Sequence, residues 1–597
     1  MRKGKVSALK IIRVIISILV FSLFLVVFLG EDASLKFADK ISYFQFIPSL
    51  IKFLFPAGRA AFGAISLGFL SVLVLTFIFG RIYCAALCPL GILQDIIIYI
   101  SGFLEKTVSG LFSGKKSRNR SRVRKNPRHN FIKPVPWIGY VVLTATVLSA
   151  LMGSLSVLIL VDPYSIFART VTNIIRPFAL FLNNSLVRLL EALNIYLLLP
   201  IPIEKPEMIT LLTSGGVFAG ISLFAVIVGR HYCNTICPVG ILLRLIARFS
   251  LFRIFLDQDR CTTCGICEKA CRAGCINSDS KYIDTDRCVM CFDCISPCPV
   301  SAVHYAGKYT AKENTENIHP PLQPGGKPLL SRRKFIAGAV TVAGASAGTL
   351  LLHLSVKGEE DSTAVIPPGA QSTRHFVKTC TACHLCVTVC PTNTIQPAFL
   401  ELGFRGIMQP VMNYNIGYCE YECNRCVEVC PADALKPVSL TEKKVLQLGK
   451  VFLNKEECIV YKNGENCAAC AEVCSTHAVY TELREGLQFP ETDNRYCTGC
   501  GFCQYACPVT PKTIIVRGSA IHGRAVEPYS DMQARTSSEQ ITMRRLEKSD
   551  ETPLRERSTF ELGDYVPEGE GAPDSEQPAG EKQETDHGED AESGFPF

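Results

Sequence analysis

The chain has 597 residues, a formal net charge of +8, an apolar fraction of 48% and 29 cysteines. Its apolar runs crowd into the first 230 residues and its cysteines mostly into the rest, which points to several units rather than one soluble core. So many thiols would suit a disulfide scaffold, but they fall in tight groups at metal-ligand spacing, which excludes that class and leaves no motif for a hydrolase, a transferase or a structural protein.

Five apolar segments are long enough to cross a bilayer as helix, which takes about 20 residues: 11–29, 60–80, 135–161, 211–229 and 335–354. Arg13 lies near the end of the first, where its side chain would reach the headgroups. Arg2, Lys3, Lys5, Lys10 and Arg13 precede or open that segment, and it has no clear cleavage site, so it reads as an anchor. Nine Lys or Arg and no acid fill 115–133, and Arg230, Arg244, Arg248 and Arg253 follow the fourth segment, whereas the stretches 30–58 and 162–208 mix both signs. This pattern places the N terminus, the 115–133 loop and residues 230–330 on the cytoplasmic side of an inner membrane. A basic run could also bind nucleic acid, but beside membrane spans it marks a cytoplasmic loop, and no nucleic-acid partner is expected.

The first four segments form an internal repeat. FIFGRIYCAALCPLGIL, from Phe77, aligns with VIVGRHYCNTICPVGIL, from Val226. The two halves run in the same direction, so their symmetry axis is expected along the membrane normal. Each carries C-x3-C-P: Cys84, Cys88 and Pro89, then Cys233, Cys237 and Pro238. Helical spacing would put each pair of thiols on one face. There they could ligate metal, accept electrons or shape a quinol pocket, and small apolar side chains that pack helices would look the same. His231 is the one nameable proton acceptor, with a plain interfacial histidine as the alternative.

Six cysteine groups follow. Cys288, Cys291, Cys294 and Cys298 fit C-x2-C-x2-C-x3-C-P, as do Cys380, Cys383, Cys386 and Cys390, and Cys497, Cys500, Cys503 and Cys507. Cys261, Cys264, Cys267 and Cys271 fit without the proline. Cys419, Cys423, Cys426 and Cys430, and Cys458, Cys467, Cys470 and Cys474, are variants. In this spacing three cysteines wrap one 4Fe–4S cluster and the fourth ligates a neighbour, so the motifs work in pairs. Zinc also takes C-x2-C pairs, but six tandem groups, four of them ending in Cys-Pro, favour six 4Fe–4S clusters. Cys380-Thr-Ala-Cys383-His384 also reads as a haem attachment site; the complete ferredoxin motif already uses both cysteines, so no haem is expected. Cys275 is surplus, either an inert buried thiol or an alternative ligand.

Between the second and third groups lies a linker rich in Pro and Gly, then Ser331-Arg332-Arg333-Lys334-Phe335-Ile336 before the fifth apolar segment. This looks like a twin-arginine export signal, and equally like positive flanking of a span. Ala345-Ser346-Ala347 could serve for cleavage, but it lies mid-span. Residues beyond 527 are acidic and poor in aromatics, as disordered tails are. The expected domains are thus 1–252 (four-span membrane domain), 253–310 (cytoplasmic two-cluster domain), 311–356 (linker, twin-arginine motif and fifth span), 357–526 (four-cluster domain) and 527–597 (tail). The fold class is a transmembrane α-helical bundle plus α+β bacterial ferredoxin-like domains.

On these motifs, residues 1–310 resemble the membrane polyferredoxins typified by NapH of periplasmic nitrate-reductase systems. Residues 331–525 resemble the exported four-cluster partner, of the NapG/MauM type. Resemblance to bacterial ferredoxins implies that Cys261, Cys264, Cys267 and Cys298 hold one cluster and Cys271, Cys288, Cys291 and Cys294 another. In related four-cluster subunits the first motif pairs with the fourth and the second with the third, while the spacing here equally permits sequential pairing. The resemblance implies electrons taken from membrane quinol and passed to a periplasmic reductase or cytochrome, with the C-terminal ferredoxin domain outside the cytoplasm. The chain would then be an electron-transfer component of a quinol dehydrogenase system rather than a stand-alone enzyme. No flavin-binding domain precedes the spans, and no bound flavin is expected. A different reading is a maturation factor, since similar membrane modules resemble oxidase assembly factors that reduce copper.

Overall fold

The computed structural model describes residues 8–30, 44–54, 67–112, 131, 136–196, 199–201, 208–307 and 363–526. The twin-arginine motif, the fifth apolar segment, nearly all of the 115–133 loop and the acidic tail lie outside them.

Helix α1 (Ala8–Leu29) and a short α2 (Phe46–Leu54) precede the first repeat, which is α3 (Leu67–Phe79), α4 (Ile82–Ala86) and α5 (Pro89–Phe112). The expected span over 135–161 is broken. It consists of α6 (Pro136–Leu151) and α7 (Ser156–Val161), separated by a turn at Gly153, whose φ of 78° no continuing helix accepts. Helix α8 (Pro163–Thr170) follows at once, capped by Asp162, and leads through one π-helical turn into α9 (Arg176–Ala192). The second repeat is α10 (Met208–Val228), α11 (His231–Thr235) and α12 (Pro238–Ala247).

Two of these helices, α1 and α10, are long and apolar enough to cross a membrane; α3, α6 and α12 are shorter and apolar. Much of α1 and α10 turns bare hydrocarbon outward: Ile15, Ile18, Leu19, Leu212 and Leu223 are each more than half exposed. Such a stripe is what a membrane-facing helix carries, and a water-facing surface seldom does. Arg13 does not reach outward as expected. It is buried and pairs with Asp95 at 3.0 Å, because a carboxylate inside the helices needs cations around it.

The cysteine-rich regions are ferredoxin-like. Strand β1 (Phe252–Leu256) pairs antiparallel with β4 (Val303–Gly307), enclosing α13 (Ile266–Ala270) and the β2–β3 hairpin (Ile276–Asn277 with Tyr282–Ile283). The same plan recurs where β7 (Leu446–Leu453) pairs with β10 (Ile514–Arg524) around the β8–β9 hairpin (Val479–Arg484 with Leu487–Thr492). Between them, residues 363–435 form a third unit on the short β5–β6 pair (Ile395–Pro397 with Pro410–Met412).

Helices and ferredoxin units meet through specific bonds. The amide of Arg230 donates to the carbonyl of Arg272, and Lys10 pairs with Asp293, docking the 252–307 unit. At another part of the helices Ser165 Oγ lies 2.8 Å from the Thr381 carbonyl and Lys52 pairs with Asp433, docking the 363–435 unit.

Candidate iron–sulfur sites and the cysteine quartet

The regular motifs owe their loop shape to backbone conformations the residue types alone would not choose. The residues flanking the second cysteine are both left-handed: Thr263 and Gly265, Met290 and Phe292, Ala382 and His384, Gly499 and Gly501, with φ between 50° and 75°. For Thr, Met and Phe this costs energy, and such strain collects at functional sites. Alternating handedness turns successive amides inward to form a concavity for an anion. Sequence reasoning missed it, because only the two glycine-containing pairs hint at it.

Six sets of four thiols result. Site 1 gathers Cys261, Cys264, Cys267 and Cys298, and site 2 gathers Cys271, Cys288, Cys291 and Cys294. Site 3 gathers Cys380, Cys383, Cys386 and Cys430. At each of these three sites the four sulfurs line one small cavity. In site 4 Cys426 neighbours Cys390, Cys419 and Cys423; in site 5 Cys470 neighbours Cys458, Cys467 and Cys507; in site 6 Cys503 neighbours Cys474, Cys497 and Cys500. The last four motifs therefore group first with second and third with fourth, not first with fourth as the resemblance implied. The reason lies in the sheets: β5–β6 links motifs three and four of the six into one unit, and β7–β10 with β8–β9 closes motifs five and six into another.

The fourth-position sulfurs accept backbone N–H bonds in the same way. Ala302 donates to Cys298 at 3.2 Å, Leu435 to Cys430 at 3.4 Å, Val479 to Cys474 at 3.4 Å and Cys275 to Cys271 at 3.4 Å. Burial pushes the thiols of Cys383, Cys419, Cys470 and Cys497 up to about 12 and that of Cys267 to about 11. Such sets bind iron as thiolates only when the metal's charge displaces the protons. Iron–sulfur clusters fit these thiol-lined, amide-rimmed cavities.

Two singled-out residues find other work. Cys275 is buried beside site 2, its sulfur 3.3 Å from that of Cys271, and their hydrogen bond pulls the Cys271 thiol below its usual range. His384 is buried with Nε2 2.8 Å from the Met408 carbonyl, a bond that a haem-ligating nitrogen would have to give up. Burial drives its imidazole down to about 3, so it is neutral and Nε2 is the donor.

The C-x3-C-P motifs are not two thiols on one helical face. Helix α4 ends after Ala86 and α11 after Thr235, and Cys88 and Cys237 stand at the starts of α5 and α12, with Pro at the first helical position of each. The proline forbids the continuous helix. The repeats nevertheless bring all four thiols together: Cys233 lies near Cys84, Cys88 near Cys84 and Cys233, and Cys237 near all three. Each half is bolted to the other. Arg81 donates to the Cys233 carbonyl at 3.0 Å, and Arg230 donates to the carbonyls of Cys84 at 2.7 Å and Gly91 at 2.8 Å. Gly91 and Gly240 allow this crowding, since a Cβ would stand 2.3 Å from the Cys84 carbonyl oxygen and 2.1 Å from that of Cys233. His231 is partly buried with Nδ1 unpartnered.

A family model described as a 4Fe–4S binding domain matches residues 61–118 and 210–255, the two repeats. The methylamine utilization ferredoxin-type protein MauM of Methylobacillus flagellatus is 31% identical over 185 residues, 30% of this chain and 77% of its own. The ferredoxin-type protein NapG of Escherichia coli is 27% identical over 202 residues, covering 32% of this chain and 87% of its own. The ferredoxin-type protein NapF of Escherichia coli is 28% identical over 161 residues, covering 27% and 90%.

Proposed function

The chain belongs to the ferredoxin-type protein family represented by MauM, and we propose that it is a membrane-embedded conduit passing electrons from quinol to an acceptor protein outside the cytoplasm. Its iron–sulfur electron-transfer role follows from the family. The finer reading rests on one observation: ferredoxin units are docked at two separate places on one set of apolar helices, by Arg272 with Asp95 and by Ser165 with Thr381.

In this reading the 24 cysteines of sites 1 to 6 hold six 4Fe–4S clusters, which take up and release one electron at a time. The NapH-like half, residues 1–310, spans the membrane with its N terminus and sites 1 and 2 inside. A fifth span at 335–354 carries sites 3 to 6 outside, as a twin-arginine-like segment would require. Within the four-site region the amide of Cys419 donates to the carbonyl of Cys500 at 2.8 Å, so sites 4 and 6 are neighbours and join the two units. That contact supports a continuous route from site 3 to site 5.

Iron and acid-labile sulfide in the anaerobically purified full chain test this reading. No fewer than about 24 of each per chain are expected. Stoichiometric zinc with little sulfide overturns it.

A further inference from the structure

We propose that Lys443 is a countercharge shared by sites 4 and 6, which holds both potentials up and keeps open the one-electron step between the two ferredoxin units of the four-site region. This rests on the iron–sulfur reading above and deepens it, by naming a residue that governs passage between site 3 and site 5.

Lys443 is buried, 6% exposed, and its ammonium donates to two backbone carbonyls, those of Glu420 and, at 3.2 Å, Tyr421. The acids close to it in the chain are engaged elsewhere. Glu442 is exposed and closes a capping box with Ser439, its carboxylate accepting from the Ser439 amide at 2.9 Å. Glu422 pairs with Lys444 at 2.5 Å. Lys443 thus has no carboxylate partner among the described residues, and a buried cation is retained where an anion answers it. Its charged-group neighbours are sulfurs: Cys419 and Cys426 of site 4 and Cys500 of site 6. Thiols are neutral, whereas a cluster on four thiolates is negative, and more so once reduced.

The cation serves both sites at once. One small cavity is lined by Lys443 together with Cys419 and Cys500. These cysteines belong to different units, and the Cys419 amide that donates to the Cys500 carbonyl at 2.8 Å fixes them side by side. Tyr418 and Phe502, each next to a ligand of one site, stack across the same boundary with ring centroids 3.7 Å apart and planes within 2°. Tyr414 donates to the Gly499 carbonyl there at 2.5 Å. The short helix that carries Lys443, Leu440–Val445, runs directly into β7, so the strand that closes sites 5 and 6 also sets the position of the ammonium.

Charge near a cluster is one of the levers on its potential, and it acts strongly where water is excluded. A buried ammonium favours the more negative, reduced form of each cluster it faces, so it raises both potentials. An electron passing from site 4 to site 6 oxidises the first by one and reduces the second by one, with no bond made or broken. The electron brings negative charge beside a second anion, and the shared cation offsets that repulsion for travel in either direction. Without it both sites become harder to reduce, and the pair stands as a barrier between site 3 and site 5.

The test compares wild-type full chain with Lys443→Met and Lys443→Arg, all purified anaerobically, by iron content and by EPR-monitored redox titration. Cys423→Ser and Cys503→Ser assign the signals of sites 4 and 6. Lys443→Met is expected to keep the wild-type iron and to move two midpoints, those of sites 4 and 6, to lower potential. Lys443→Arg, which keeps the charge, is expected to leave both in place. No midpoint moved, one moved alone, other sites moved as well, or the same shifts in Lys443→Arg would each overturn the proposal. If Lys443→Met loses iron, Lys443→Gln, which keeps a donor toward the Glu420 and Tyr421 carbonyls, is titrated in its place by the same criterion. Loss of iron there too makes the residue a structural support and overturns its role as countercharge. Absence of cubane signals from the wild type would instead defeat the underlying iron–sulfur reading, and is read separately.

Discussion

Arg230 of the second repeat donates to the carbonyl oxygen of Cys84 in the first at 2.7 Å, and Arg81 returns the bond to Cys233 at 3.0 Å. This exchange turns a sequence duplication into one pseudo-symmetric core with four thiols at its centre.

Arg230→Ala should therefore do more than remove a flanking charge. It leaves Asp95 with weaker compensation and two carbonyls unpaired, and loss of one partner of a buried pair costs about 3–5 kcal/mol. The variant is expected to reach the membrane at strongly reduced level and to melt earlier in detergent. Arg244→Ala, at a partly exposed position of α12, should do neither. Equal behaviour of the two would show that the arginines act only on topology.

The grouping of the four C-terminal motifs is tested by non-additivity. Cys380 and Cys430 share site 3, so the double variant Cys380→Ser, Cys430→Ser should lose the same iron as either single one, about four per chain. If the first motif paired with the fourth, the two residues would belong to different clusters and the losses would add to about eight. Iron analysis of the three proteins decides.

Much of this was legible in the sequence, and the exceptions share a cause. The ferredoxin units follow from cysteine spacing, and the core of α1, α3 and α10 from uninterrupted apolar runs. Arg13 and Arg230 read as topological charges because their acceptors, Asp95 and the carbonyl of Cys84, are far away in the chain. The break at Gly153 hides within an apolar run, where hydropathy continues although helix does not. Left-handed Thr263, Met290 and Phe292 go against residue preference, and only closure of the loop around its four thiols imposes them. Motif pairing was equally open in both schemes until the strands fixed it.

Loading should abolish an alkaline loss of stability that the metal-free fold shows. In the metal-free fold the thiols of Cys383, Cys419, Cys470 and Cys497 are held at about 12 by burial, above the value of about 8.5 for a free thiol. The folded state keeps those protons after the unfolded chain has released them. Stability from this source is complete below about pH 8.5 and is lost as pH rises toward the folded value. Chelator-stripped protein should melt at progressively lower temperature from about pH 8 to pH 10. Iron-loaded protein, its sulfurs already thiolates, should not. Parallel melting curves would mean that these thiols are not the ligands.

Arg332 and Arg333 lie outside the described residues, but their role is testable. Replacing both by Lys keeps the charge and removes the guanidinium pair a twin-arginine receptor would read. Residues 363–526 should then remain inside, protected from protease added to spheroplasts. Unchanged export would leave the pair as flanking charge of a span.

The conduit itself is tested most directly by reduction with quinol. In anaerobic membranes containing the full chain, menaquinol should reduce clusters in both the 252–307 unit and the 363–526 region, scored by EPR against the total reducible by dithionite. Cys430→Ser and Cys298→Ser variants would assign signals to sites 3 and 1. Clusters in both regions reduced by menaquinol is the result the account predicts. Clusters that dithionite reduces but menaquinol leaves oxidised would contradict it.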